Sequence, residues 1–479
     1  VILGNSPQTT RFVWSALFLS VWPLVFWDNP FFWDTVLFSR QADWYLHSGF
    51  SSLILPTDLD AGHPPLWPLY LALGWKVLGQ HLIVAHLLLL PILIWLAWEL
   101  SQLVTQFVSE LHRNWAMACA VAVPGLAAQA TLFSNDILLT ASLLGVLNAL
   151  QKQKYWKIAL CLGLAGMSSL RGIMIAPAIL MYAWIFYPQL RLKFSFFLWG
   201  AAPYFPLVVW FGWHWVQTGW LTHPISSNWS SQHELGDLDT WVHNFLTIGF
   251  RFADQGRIIL WAGVFLVWLY GKWKISSELT QLIGLFLLLT LWLSLVFIPF
   301  QNPPGHRYFL LEFILLAILS VQVIFQTWPD SIKLKILVLA SFLSGHFWIY
   351  PEHISKGWDS TLAYINWSQE RQEAVSYLKE NQIPPEYVGS AFPLVHSGKY
   401  THLNEEVWRF PEMDLSKNPY ILYSNLCNGV SESTLKILNR EWDVERSWGS
   451  WPVYFILYRN PEQFPVEPKQ TPEMAIVVL

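Results

Sequence analysis

Residues 81–104, HLIVAHLLLLPILIWLAWELSQLV, are apolar over the length a helix needs to cross a bilayer, about 17–25 residues. That run is not isolated. Comparable runs fall at 12–27, 114–133, 136–150, 157–170, 172–187, 194–216, 257–271, 279–299, 308–326 and 333–350, about eleven spans by the same length rule. Composition agrees, since 54% of the 479 residues are hydrophobic and only 13% are charged, far from the balance of soluble domains. The fold class expected is a polytopic α-helical membrane protein. A net charge of −4 offers no basic field to nucleic acid, so no nucleic-acid partner is expected.

Orientation follows from the basic residues of the short connections. Arg113, then Lys152, Lys154 and Lys157, then Arg191 and Lys193, then Lys272 and Lys274, then Lys333 and Lys335 all fall on one side. The positive-inside rule makes that side cytoplasmic, so the long connections 28–80 and 217–256 face outward. An odd number of spans sends the C-terminal segment outward too. The chain divides on this reading into a membrane domain, 1–350, and an extracytoplasmic domain, 351–479. The first run lacks a small-residue cleavage site and reads as a retained span. Cys119 and Cys161 lie inside apolar spans and Cys427 in the tail, so no disulfide framework is expected.

The tail has the pattern of a small α/β domain. In NWSQERQEAVSYLKENQ, Asn366 and Gln369 form a capping-box pattern ahead of Ala374, Val375 and Leu378 at helical spacing. Short β-like runs follow in EYVGSAF, PYILYSNL and WPVYFILYRN, with a second helix expected at SESTLKILNR. A lid or docking platform is the simplest role for such a domain.

Chemistry is sought where ionisable residues stand near membrane depth, because their presence there is costly. Asp28 and Asp34 follow the first span, and an amphipathic segment with Leu37, Trp44 and Tyr45 comes next. Solvation explains Asp28, and helix capping is the ordinary explanation for Asp34 and for Asp136. Arg171 lies in an otherwise apolar stretch and needs an anionic partner, while His306 and Arg307 head a late span with Glu312 beyond them. Acids and bases from four connections thus share one outward face. Such a face suits an anion carried by a lipid, such as a phosphate, with arginine giving bidentate contacts.

Four elements in order, WDTVLFSRQADWYLHSGF (33–50), LPTDLDAGHPPLWPLYLALGWKVLGQHLIVAHLL (55–88), SNDILLTASLLGVL (134–147) and GHRYFLLEFILL (305–316), resemble polyprenyl-phosphate-sugar-dependent glycosyltransferases of the GT-C fold. The likeness is to bacterial relatives of the protein O-mannosyltransferases and of the lipid A aminoarabinose transferase. It is most specific over residues 28–140, weaker near 300–312, and general in the tail. The resemblance implies Asp34 as catalytic base, Asp136 as a residue supporting the base or the acceptor, and Arg307 as a ligand of the lipid phosphate. Arg171 and His306 join Arg307 on the position argument above. Many relatives carry Asp-Glu where this chain has Asp34-Thr35, so a role needing two adjacent carboxylates is in question here.

The reaction implied is transfer of a hexosyl or pentosyl group from a polyprenyl-phosphate donor, undecaprenyl phosphate being the bacterial carrier, to a lipid, glycan or protein acceptor. It would occur with inversion on the outer face of a bacterial inner membrane, toward the periplasm and cell envelope. Two other classes stay open: a ligase or polymerase of lipid-linked glycans, and a secondary transporter. The latter is expected to show midplane sites and inverted repeats. The sequence DLD at 58–60 imitates a metal-binding Asp-x-Asp, but it lies outward, away from nucleotide sugars. Asp58, Asp60 and His63 are instead expected to wall the substrate cavity, with Pro64 and Pro65 setting entry to the next helix. The energy stored in the lipid-phosphate bond makes ATP or a nucleotide unnecessary, and no cofactor is assigned. A divalent metal on His63 and a carboxylate is open by residue type, but no ligand spacing supports it and a surface histidine explains His63 better. In the loop 217–256, His223, His233, Glu234 and Asp237 are polar without assigned roles, and the NWS strings at 228–230 and 366–368 fit a glycosylation pattern that chance explains.

Overall fold

Apolar runs become helices here, some of them unbroken across an internal proline and one of them split at a proline. The computed structural model describes residues 6–191, 193–222, 234–270, 275–348, 357–406, 408–427 and 429–462. Among them, four helices are long and apolar enough to cross a membrane: Leu82–Phe107, Phe194–Thr218, Ser277–Phe297 and His306–Thr327. Leu238–Ala253 and Arg257–Tyr270, bent by 80° at their junction, make a fifth if counted as one span. The expected eleven are not reached, because several apolar runs are cut short. Run 114–133 is two helices, Arg113–Val121 and Pro124–Thr131, since Pro124 lacks an N–H and starts a helix far better than it continues one.

The chain forms two units, the first comprising Val1–Ile349, Lys356–Ala363 and Tyr400–Leu403, the second Tyr350–Ser355, Tyr364–Lys399 and Asn404–Leu479. The centre of the first unit is the helix Leu310–Thr327, in which every residue from Leu310 to Phe325 is buried. A helix apolar all round belongs inside a bundle. Arg113–Val121, Arg257–Tyr270 and Ser277–Phe297 pack around it. Asn135–Gln151, buried along almost its whole length, fills the space between Leu82–Phe107 and Tyr155–Ser168.

Both long connections carry helices. Thr35–His47 takes the place of the expected amphipathic segment and buries Val36, Ala42 and Tyr45, and Leu66–Leu78 follows the Pro64-Pro65 pair. In the second connection, read from sequence as a loop, Leu238–Ala253 is a helix capped by Asp237, whose carboxylate accepts from Thr240 N at 2.9 Å. Its Leu238, Trp241, Val242, Phe245 and Leu246 are exposed at helical spacing, an apolar flank that suits a lipid interface. Asp237 is thus a cap, and Glu234 pairs with the Gln301 amide at 3.4 Å. His223, His233 and the 228–230 string lie outside the described residues.

The second unit is a four-stranded sheet of order β1-β2-β4-β3: β1 Val388–Gly389, β2 Tyr420–Ser424, β3 Asp443–Ser450 and β4 Val453–Arg459. β1 runs parallel to β2, and the other pairs are antiparallel. Strand β3 went unread in the sequence because Asp443, Glu445 and Arg446 give it the charge of an edge strand rather than apolar alternation. Helices Trp367–Glu380 and Glu432–Glu441 flank the sheet, the latter capped by Ser431, which accepts from Thr434 N at 3.1 Å. The expected capping box does not form. Asn366 already has helical angles (φ −73°, ψ −6°), and a capping side chain works from extended backbone, so Gln369 donates instead to Glu373 at 3.1 Å. None of the three cysteines forms a disulfide among the described residues.

Candidate active site

A carboxylate at a helix start ordinarily caps it, and Asp34 does not. It occupies the N-cap position of Thr35–His47 but makes no capping hydrogen bond. Thr35 does that work nearby, its Oγ1 accepting from Phe32 N at 2.9 Å and donating to Phe32 O at 2.7 Å. Trp33, just before, has φ 57°, a left-handed conformation costly for a bulky residue and the sort of strain found at functional sites. The Asp34 carboxylate is turned instead to Nη2 of Arg307.

Arg307 stands in the 3-10 turn His306–Phe309 that leads into the central helix, and it gathers three acids. Besides Asp34, its Nε lies 2.9 Å from Asp359 Oδ2 and its Nη1 3.7 Å from Asp136 Oδ2. Asp136 is likewise no cap. Ser134 caps Asn135–Gln151 by accepting from Asp136 N at 3.1 Å, and Asp136 Oδ1 pairs with Nη2 of Arg171. The Arg171 guanidinium also rests 4.5 Å from the Tyr308 ring centre, a cation–π contact. Three carboxylates therefore share two guanidinium groups. Asp34 alone of the five has a side chain more than a third exposed, at 37%, while Asp136 is at 1% and Arg307 at 8%. Burial pushes the Asp359 carboxyl above its usual range, opposed by Arg307 and reinforced by Asp34 and Asp136.

The other residues singled out in the sequence lie elsewhere. His306 Nε2 meets Asp254 Oδ2 at 2.5 Å, outside the set of acids that Arg307 gathers. Asp60 is buried against His214 Nε2 at 2.9 Å and accepts from Gly62 N at 2.8 Å, tying the connection 28–80 to the end of helix Tyr204–Thr218. Asp58 is at the surface, 3.9 Å from Arg40, and His63 is exposed. Asp28 is exposed, in accord with solvation. Among the described residues, no three His, Cys, Asp or Glu side chains gather as a metal site.

Sequence reasoning missed Asp359, Asp254 and Tyr308. Asp359 sits in GWDST, just past the last apolar run, where nothing local points to a partner 52 residues earlier. Asp254 sits in FADQGR, and its signal was the Asp-Gln-Gly turn between two apolar stretches.

A bundle of buried and lipid-length helices with a buried group of acids and arginines at the start of several of them, together with a small sheet domain, is a GT-C-like membrane fold. The fold is shared with solved structures of ArnT from Cupriavidus metallidurans. With undecaprenyl phosphate bound, that protein matches at 13% identity over 95% of this chain and 98% of its own, with a TM-score of 0.53. In the apo state the identity is 12%, the coverage 94% and 97%, and the TM-score 0.51. No family model matches the chain, and no curated protein does.

Proposed function

We propose that the protein is an integral membrane glycosyltransferase that moves a sugar from a polyprenyl-phosphate donor to an acceptor on the extracytoplasmic face, with inversion. The observation that carries this reading is Arg307, buried among Asp34, Asp136 and Asp359 with only Asp34 substantially exposed. The structural likeness to a protein that binds undecaprenyl phosphate supports the donor class. The basic residues of the short connections support an outward site.

The donor phosphate competes with Asp34 for Nη2 of Arg307. Its arrival exchanges one anion for another on the guanidinium and releases the Asp34 carboxylate beside the anomeric carbon. Asp34 then takes the proton of an acceptor hydroxyl or amine as the acceptor atom bonds to that carbon. The carbon–oxygen bond to phosphate breaks on the opposite face, and its electron pair leaves with polyprenyl phosphate, whose growing charge Arg307 and Arg171 stabilise. Asp136 holds the two arginines together, and Asp359 fixes the Nε edge of Arg307. The energy resides in the donor's anomeric bond, so no nucleotide enters.

The test is turnover in nanodiscs with a panel of polyprenyl-monophosphate sugars and lipid, glycan and protein acceptors. Release of polyprenyl phosphate by the native protein and its loss in folded Asp34→Asn is the expected result. Consumption of a pyrophosphate-linked donor alone would transfer the reading to a ligase or polymerase, and vectorial uptake without bond cleavage would transfer it to a transporter.

A further inference from the structure

The break between helices Leu238–Ala253 and Arg257–Tyr270 holds a second buried group of charges that the reaction above does not use. Asp254, Gln255, Arg257 and His306 are each at most 1% exposed, and Arg251 is 3% exposed. The turn is rigidly specified. Gly256 has φ +82°, and a Cβ there would lie 1.8 Å from Ser341 O. Arg257 donates from Nε and Nη2 to Arg251 O at 3.0 and 2.6 Å and stacks 3.8 Å from the Phe313 ring centre.

The two residues at the turn reach the two flanks of the Arg307–Asp359 pair. Asp254 Oδ2 holds His306, the neighbour of Arg307, while its Oδ1 accepts from Gln255 N at 2.5 Å. Gln255 Oε1 accepts from Arg257 Nη1 at 3.1 Å, which fixes the amide so that Nε2 donates to the carbonyl of Ser360, the neighbour of Asp359, at 3.5 Å. Gly357, at φ +58°, closes the other side of the His306 ring: a Cβ there would stand 2.5 Å from Nδ1. Adjacent residues on one break thus grip residues adjacent to each member of an ion pair. We infer that Asp254 and Gln255 are positioning residues that set the placement of Arg307 against Asp359, acting through His306 and the Ser360 backbone.

The inference rests on the transferase reading for its kinetic test, and a structural arm keeps the two separable. In nanodiscs, Asp254→Asn is expected to lower kcat/KM for the donor about tenfold or more, kcat falling and donor KM rising together, because the misplaced Arg307 meets the donor phosphate both on binding and in the transition state. Gln255→Ala, losing the longer contact, is expected to lose about threefold. Combined with Arg307→Lys, Asp254→Asn is expected to add almost nothing, because the residue it positions is already changed. A cryo-electron microscopy structure of Asp254→Asn is expected to show the guanidinium displaced from Asp359. An undisturbed Arg307–Asp359 pair, or full additivity with Arg307→Lys, overturns the inference. If the native protein releases no polyprenyl phosphate, the function reading fails, and the structure of the variant still decides the positioning role. Should Asp254→Asn not assemble, Gln255→Ala, which removes no charge, carries the same kinetic and structural readouts.

Discussion

Glu99 and Arg307 are both centres of buried ion pairs in the first unit, but one is saturated and the other is shared. Glu99 Oε1 receives Trp95 Nε1 at 3.0 Å and Lys157 Nζ at 2.6 Å, and Oε2 receives Asn148 Nδ2 at 2.8 Å. Both carboxylate oxygens have donors, and the charge has its cation in Lys157. Around Arg307, three carboxylates divide two guanidinium groups, and Asp136 Oδ2 makes no hydrogen bond among the described residues. A saturated cluster has nothing left to offer a substrate, so it locks helices together. A cluster with acids to spare keeps part of its bonding capacity for a ligand that changes the balance.

Mutation tests this contrast, beginning where the effect is largest. Asp34→Asn, at the exposed edge of the cluster, is expected to cost about 10²–10⁴ in turnover with little change in thermal midpoint, read as released polyprenyl phosphate. Arg307→Ala is expected to cost as much in turnover and about 3 kcal/mol in stability besides, since Asp136 and Asp359 lose their shared cation. Unfolding in place of inactivity would make the acid cluster structural and erase the contrast. Lys157→Met is expected to do the reverse, lowering stability by about 3 kcal/mol through the uncompensated Glu99 while turnover per folded molecule holds; adding Glu99→Leu recovers most of the loss. Thermal melts in detergent read both variants.

Glu312 gives a smaller effect of opposite sign. It is fully buried, and neither carboxylate oxygen has a hydrogen-bond partner among the described residues. Glu312→Leu is expected to raise stability by about 1 kcal/mol, since an orphaned polar group is removed together with its cost. A fall in the melting midpoint would show that a partner had been lost. The smallest change is expected of Asp58→Asn, whose ion pair with Arg40 is 3.9 Å long on a side chain 76% exposed: under about 0.5 kcal/mol, seen as an unmoved melt.

The legible part of the site was the part with an unusual address. Asp34, Asp136, Arg171 and Arg307 each stood out as charge beside apolar sequence, and the topology put them on one face, where the structure joins them. Pairing was not legible, because it crosses the chain. Arg307 and Asp34 are 273 residues apart, and nothing around either names the other. Asp359 and Asp254 escaped notice for the same reason, each looking like an ordinary turn acid. In the fold, the long helices Leu82–Phe107 and Ser277–Phe297 announce themselves by hydropathy. The alanine-rich 114–133 did not announce its break, since hydropathy sums across Pro124 while helix geometry does not. The helix Leu238–Ala253 was hidden by the opposite error, its polar side being read as loop.

That last helix also gives the site a height. A helix with an exposed apolar flank floats at the headgroup boundary, and this one turns through 80° into the next at Asp254–Gly256. With that flank at the boundary, residues at the corner would take their depth from the lipid surface rather than from the middle of the bilayer. A phosphate on a long isoprenoid tail travels at that same level, so under the proposed function the protein and its donor would be levelled by one boundary. Thinning or thickening the hydrocarbon below the corner would strain the spanning helices while leaving this alignment intact. Turnover compared across vesicles of short-chain and long-chain phospholipids reads that independence directly.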